Sequence, residues 1–344
     1  MPRNWIAIAA ALVLLWGIDF VIFEPEDRSA FRRAASEAEL LRARYAERRP
    51  ELVVLGDSMV GEGIDDDALG HLLGVRASNL WRGGAASAWC YLALENLILA
   101  SETPPQWVVV VYRDHFLTEP RFRVDGPYRP HLAALSGRRE PLLEELALEP
   151  VDPAIALLRR VPLYSQRERF RTGLHGGVMD GVGAAFFHLE PGAAAKVLAR
   201  VFDDAALDPE QFGMRQLEAE RVADDFAFDR DVEASFLPAM VELAAAHRVR
   251  LAFVRMKRRR DLEPDREPAG LPRYQHELVS WLAERQIPVI DFTHDDRMRA
   301  EHYAVGDHLS RGEGRSVFTV LLADELRPIL GPNLPSSVEA PAGI

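Results

Sequence analysis

The sequence predicts an α/β protein built on a doubly wound, five-stranded parallel sheet, and three observations predict it. Short β-rich runs recur along the chain, amphipathic helical patterns separate them, and the runs are apolar without interruption rather than alternating. Uninterrupted apolar strands are what a sheet covered by helices on both faces requires, because neither face meets water. At 344 residues, 48% hydrophobic and 27% charged, the chain has the length for one large domain or two small ones, and an ordinary globular composition. Disordered, collagenous and disulfide-stapled classes are excluded.

Five runs are read as the strands: Glu51–Leu55 (ELVVL), Val75–Leu80, Gln106–Tyr112 (QWVVVVY), Val249–Met256 (VRLAFVRM) and Ile287–Phe292 (IPVIDF). Helical periodicity covers Asp66–Leu73, Ala86–Ser101, Pro272–Arg285 and Gly314–Ile329. Between the third and fourth strands, about residues 114–230, the chain is far longer than one crossover helix needs. It is helix-prone with Gly and Pro breaks such as His175-Gly176-Gly177, and is expected to form a helical insert. The domain is therefore bounded at about 51–330, with residues 331–344 a flexible tail.

The N-terminus carries a separate signal. Trp5 to Phe23 is nearly continuously apolar after Arg3, about enough to span a bilayer core. No small-X-small cleavage site follows, so residues 1–25 are expected to be an uncleaved membrane anchor. Ser29–Arg49 continues as a charged helix with Ala and Leu at helical spacing, a stalk over 26–50. Arg28, Arg32 and Arg33 outweigh Arg3, so basic residues alone do not orient the anchor.

The formal net charge of −12 and a pI of about 5.4 argue against a nucleic-acid partner, which needs basic surface. The short basic run Lys257-Arg258-Arg259-Arg260, followed by acids, is expected to be a solvated loop. The single cysteine, Cys90, sits in an apolar helical run and reads as a small core residue. No metal site and no cofactor are expected.

Chemistry concentrates at strand ends. The first strand runs into Gly56-Asp57-Ser58-Met59. In an open parallel sheet, ligands bind outside the carboxyl ends of the strands, so a serine there is exposed and the turn after it can aim backbone N–H groups at an oxyanion. Near the C-terminus, Gly306-Asp307-His308-Leu309-Ser310-Arg311-Gly312-Glu313-Gly314 leads into the last amphipathic helix, where a loop histidine can serve as general base.

These two segments, with Asn79-Leu80-Trp81-Arg82-Gly83-Gly84 after the second strand, resemble the first, last and second blocks of the SGNH/GDSL hydrolase superfamily. The likeness covers roughly 50–112 and 249–330, without the insert. It implies Ser58 as nucleophile, His308 as base, and the backbone N–H groups of Ser58 and Gly84 as oxyanion donors beside Asn79. Two departures stand out. The third block's asparagine is absent, its place reading Tyr112-Arg113-Asp114-His115, and the usual acid position, three residues before the histidine, is Val305. Asp307 is then the candidate acid, with Asp291 and Asp295 as alternatives.

Arg113 and Arg255 close the third and fourth strands. Either they pair with local acids such as Asp114 or Asp291, or Arg113 replaces the asparagine as oxyanion donor and the two grip an anionic group. An anchored domain with a large insert and a degenerate third block is similar to the accessory proteins of cell-surface polysaccharide O-acetylation and teichoic-acid alanylation. That resemblance implies a single-pass protein of a bacterial inner membrane, its domain on the periplasmic side, acting on an acylated surface polysaccharide beside a multi-span membrane acyltransferase. The alternatives are a catalytically inactive SGNH-like domain that binds or scaffolds a polymer assembly, and a simple esterase of small esters.

Overall fold

Five parallel strands form one sheet in the order β2-β1-β3-β4-β5: β1 Leu52–Gly56, β2 Ala77–Trp81, β3 Trp107–Tyr112, β4 Arg250–Arg255 and β5 Val289–Asp291. The computed structural model describes residues 26–137, 140–147, 227–262, 267–304 and 307–331. The expected anchor, the greater part of the expected insert and the tail beyond Gly331 lie outside them. Among the described residues, no helix is long and apolar enough to cross a membrane.

The chain divides into two compact units, Met1–Ser36 with Glu149–Pro209, and Glu37–Leu148 with Glu210–Ile344. Of the first, only the opening of helix α1 (Glu26–Arg48) is described. The sheet and the residues of interest belong to the second.

Side-chain alternation along the strands feeds two cores, which is why the runs are apolar throughout. Val53, Leu55, Val108, Val110, Leu251 and Phe253 point to one face, beneath α4 (Ser87–Ala93), α8 (Leu237–Ala246) and α9 (Leu271–Glu284). Leu52, Val54, Val109, Val111, Ala252 and Val254 point to the other, beneath α2 (Ser58–Gly63), α3 (Asp66–Leu73) and α10 (Glu313–Leu330). Leu52, Val54, Leu55 and Phe253 are fully buried, each contributing about 1.5–3 kcal/mol by leaving water. Leu55→Ala would cost about 2–5 kcal/mol by opening a cavity there.

The expected strands all form, with ends shifted by one or two residues. The long helix expected over Ala86–Ser101 is instead α4 followed by a π-helical segment, Leu94–Leu99. The described start of the insert holds only short helices, α5 (Arg129–Leu135) and α6 (Pro141–Leu146); α7 (Phe228–Val232) leads to α8.

From β1 the chain winds outward in both directions, to β2 on one side and β3 on the other. The crevice between the carboxyl ends of β1 and β3 is thus the topological switch point, where such sheets bind ligands. Ser58 follows β1 there and Arg113 follows β3.

Candidate active site

Asp57 sets the turn that presents Ser58. Its backbone is extended, and its side chain accepts a 2.9 Å hydrogen bond from the Met59 N–H, capping α2 so that Ser58 is the first helical residue. Met59, Val60 and Gly63 face the core while Ser58 remains half-buried. At Gly63 a β-carbon would come within 2.5 Å of Met256 Cε and 3.1 Å of Leu309 Cδ1. The glycine lets α2 press onto the segment that carries the histidine.

That segment is a small antiparallel hairpin. Tyr303 and Leu309 form an isolated bridge, Ala304 N–H donates to His308 O at 2.8 Å, and Ser310 N–H donates to His302 O at 2.8 Å. Leu309 is buried as its anchor, and Tyr303 donates its hydroxyl to Lys257 O at 2.9 Å. The result brings Ser58 Oγ and His308 Nε2, 250 positions apart in the chain, to 2.8 Å. With the imidazole proton on Nδ1, Nε2 accepts from the serine hydroxyl, the geometry a general base requires.

Gly84 has φ +73, in the left-handed region, and a β-carbon on it would lie 2.5 Å from Tyr128 Cε1. Among the described residues, the N–H groups of Ser58 and Gly84 donate to no other group. Asn79 is engaged elsewhere: its Nδ2 donates to Ile64 O at 2.8 Å and its backbone N–H to Asp66 Oδ2 at 3.2 Å. It ties β2 to the link between α2 and α3 rather than meeting the Ser58–His308 pair.

Among the described residues, the candidate acids contact groups other than His308. Asp307 is buried, but its Oδ2 lies 3.6 Å from Arg113 Nη1 and 3.9 Å from Arg258 Nη1. Neighbouring side chains on an extended segment point apart, which turns Asp307 inward while His308 faces Ser58. Asp291 accepts from Thr293 N–H at 2.8 Å and pairs with Arg255 at 3.3 Å. Asp295 pairs with Arg297 at 2.6 Å, which lowers its carboxyl below the usual range. Among the described residues, no carboxylate pairs with the His308 ring.

Both strand-end arginines make buried ion pairs. Arg255 lies between Glu267 (3.0 Å) and Asp291 (3.3 Å). Arg113 Nη2 lies 3.2 Å from Asp57 Oδ2, Nη1 reaches Asp307, and the guanidinium packs 5.3 Å from the Phe116 ring centre. Of the two readings of Arg113, the contacts present are those of the ion-pair one: its fork is directed at two buried carboxylates.

In the basic run, Lys257 and Arg258 are buried rather than solvated. Arg258 is 1% exposed and grips Asp114 with two nitrogens, at 2.7 and 2.8 Å. Lys257 is buried and donates to Asp295 O at 2.9 Å. Arg258 also receives Asp261, whose carboxyl is raised above the usual range, chiefly by burial. Asp114, at φ +47, passes the network on through its carbonyl to Gln275 Nε2 at 2.6 Å, and Gln275 Oε1 accepts from Tyr112. Two guanidiniums and four carboxylates thus lie under the site. Sequence reasoning missed this network; its only trace was an aspartate two residues after β3 and another three residues after Arg258.

Beside Asp57 and Arg113, Ala85, Ala86, Cys90 and Phe116 help to line a small, mostly apolar recess of about 20 Å³. Burial, with Asp57 nearby, pushes the Cys90 thiol up to about 12, so it remains protonated and is a poor nucleophile.

No protein-family model matches the chain, and no curated protein matches it. Solved structures of similar fold include a protein assigned as an acylhydrolase from Bacteroides fragilis, with TM-score 0.41 and 12% identity over 84% of this chain and 97% of that one. They also include a GDSL-like lipase from Bacteroides thetaiotaomicron, with TM-score 0.39 and 10% identity over 87% and 98%. A lipolytic protein of the G-D-S-L family from Desulfitobacterium hafniense gives TM-score 0.37 and 10% identity over 79% and 97%.

Proposed function

We propose that this chain is a serine-dependent acyl-ester hydrolase or acyltransferase that works through an acyl-Ser58 intermediate. The 2.8 Å contact between Ser58 Oγ and His308 Nε2, at the switch point of a parallel sheet, carries the reading. Ser58 Oγ attacks the ester carbonyl carbon as its proton passes to His308 Nε2. The carbonyl oxygen becomes an oxyanion, and the N–H groups of Ser58 and Gly84 are the donors available to it. The ester C–O bond then breaks, and His308 returns the proton to the departing alcohol. Water attacking the acyl-serine gives hydrolysis; an acceptor hydroxyl gives transfer.

Among the described residues the base works as half of a Ser–His dyad, with the hairpin rather than a carboxylate positioning the ring. An acid mainly fixes the tautomer and orientation of a catalytic histidine, so the chemistry survives its absence at reduced rate. The ester we assign is carried by a surface polysaccharide, reached from an N-terminal anchor and paired with a membrane acyltransferase. This assignment rests on the sequence resemblance and the apolar 5–23 segment.

A fluorophosphonate probe tests the reaction class. Covalent labelling of wild type that disappears in Ser58→Ala, together with hydrolysis of an acetyl ester, is the expected result. An unlabelled wild-type protein would leave a binding domain in place of an enzyme.

A further inference from the structure

We propose that the exposed face of Trp81 is a ring-binding subsite for the sugar that bears the ester; this rests on the serine-ester reading above. Trp81 ends β2 in register with Gly56, two residues before the serine, and is 40% exposed. One side of its indole lies flat on α2: a β-carbon at Gly61 would be 2.2 Å from Trp81 Cε2 and 2.3 Å from Cδ2. Gly61 is three residues after Ser58, and residues so spaced share a helix face, about 5–6 Å apart. A mid-helix glycine is unfavourable relative to alanine, and here it makes room for the ring. The indole is therefore held within about one helical turn of the nucleophile.

The chain's other described tryptophans are covered. Trp89 and Trp107 are buried, and Trp281 lies under the Arg285 guanidinium, 3.6 Å from its ring centre. Among the described residues, no ring or cation stacks on Trp81.

The border of the indole selects the ligand. Glu62, next to Gly61 and four residues after Ser58, pairs at 3.3 Å with Arg311, three residues after His308. A flat apolar face rimmed by hydrogen-bonding side chains complements a pyranose, whose C–H bonds cover one face and whose hydroxyls project from its edge. A long acyl chain would need a continuous apolar groove, which these charged neighbours interrupt.

The test compares two acetate esters, a monoacetylated methyl glucoside and butyl acetate, in wild type, Trp81→Ala, Trp81→Phe and Gly61→Ala. The ratio of kcat/KM for the glucoside to that for butyl acetate should fall roughly three- to tenfold in Trp81→Ala, chiefly through KM, the scale of one aromatic contact. Trp81→Phe should retain most of the ratio. Gly61→Ala should lower it, because the new methyl displaces the indole. An unchanged ratio in folded Trp81→Ala, or an equal loss on both esters, overturns the subsite. A second measurement needs no turnover: in Ser58→Ala, the Trp81 indole N–H resonance, assigned by its loss in Trp81→Phe, should shift on titration with the acetylated glucoside. No shift at millimolar sugar overturns the subsite even if both esters are hydrolysed. A shift from a wild-type protein that hydrolyses neither ester keeps the subsite and removes the enzyme reading.

Discussion

Asp57 and Asp307 face the two ends of one guanidinium: Arg113 Nη2 is 3.2 Å from Asp57 Oδ2, and Nη1 is 3.6 Å from Asp307 Oδ2. Each aspartate immediately precedes one member of the reactive pair, so a side chain from the end of β3 fastens the serine turn to the histidine hairpin. All three groups are buried, where the ion pairs are little screened and an unpaired charge is costly. The arrangement explains how the pair holds its geometry although, among the described residues, no carboxylate supports the imidazole.

Ser58→Ala and His308→Ala should each lower kcat on an acetyl ester by about 10⁴–10⁶-fold, and combining them should cost little more, since the two act as a unit. The Ser58 side chain is half-buried and its hydroxyl bonds only to His308 among the described residues, so the melting temperature should hardly move. Activity surviving in Ser58→Ala would remove the mechanism.

Arg113→Leu leaves Asp57 and Asp307 without the cation that bridges them. It should destabilise the fold by about 3–5 kcal/mol in urea titration. Arg113→Lys should recover only part of this, because a single ammonium cannot serve both carboxylates in a fork. A stable Arg113→Leu protein with kcat down about 10²–10³-fold would restore the oxyanion role.

Asp307→Asn separates a structural acid from a catalytic one. Its carboxylate faces Arg113 and Arg258, so the expected result is a stability loss of roughly 1–3 kcal/mol with kcat changed less than about tenfold. A drop of about 10⁴ in kcat at unchanged stability would instead identify an acid that sets the histidine tautomer.

His131 gives a pH signature. Burial, then the neighbouring Arg82, lowers its pKa below the ordinary 6.5, despite Glu37 at 3.7 Å. The short contact from the Arg82 guanidinium to Nε2 fits a neutral ring accepting there. The unfolded chain thus binds the proton more readily, so this stabilising contribution is present above about pH 6.5 and is lost as pH falls through the lower folded value. Urea titrations from pH 7.5 to 5 should show stability falling with acid, and His131→Gln should flatten that fall. Identical slopes in the two proteins would mean that His131 titrates normally.

The sequence by itself determined the layered α/β fold, because apolar runs without alternation can be satisfied only by a sheet buried on both faces, and five such runs match β1 to β5. It also singled out Ser58 and His308, each in a short local pattern beside a strand end or a helix start, and the fold brings their side chains within 2.8 Å. Tertiary structure alone decided which charges meet. Asp307 and His308 are neighbours in the chain yet face opposite ways. Arg258 looked solvated inside a run of four cations but reaches 144 positions back to Asp114. Arg113 joins two aspartates from opposite ends of the domain. Ion pairs are set by which backbone ends converge in space, and side-chain type or spacing along the chain carries no record of that convergence.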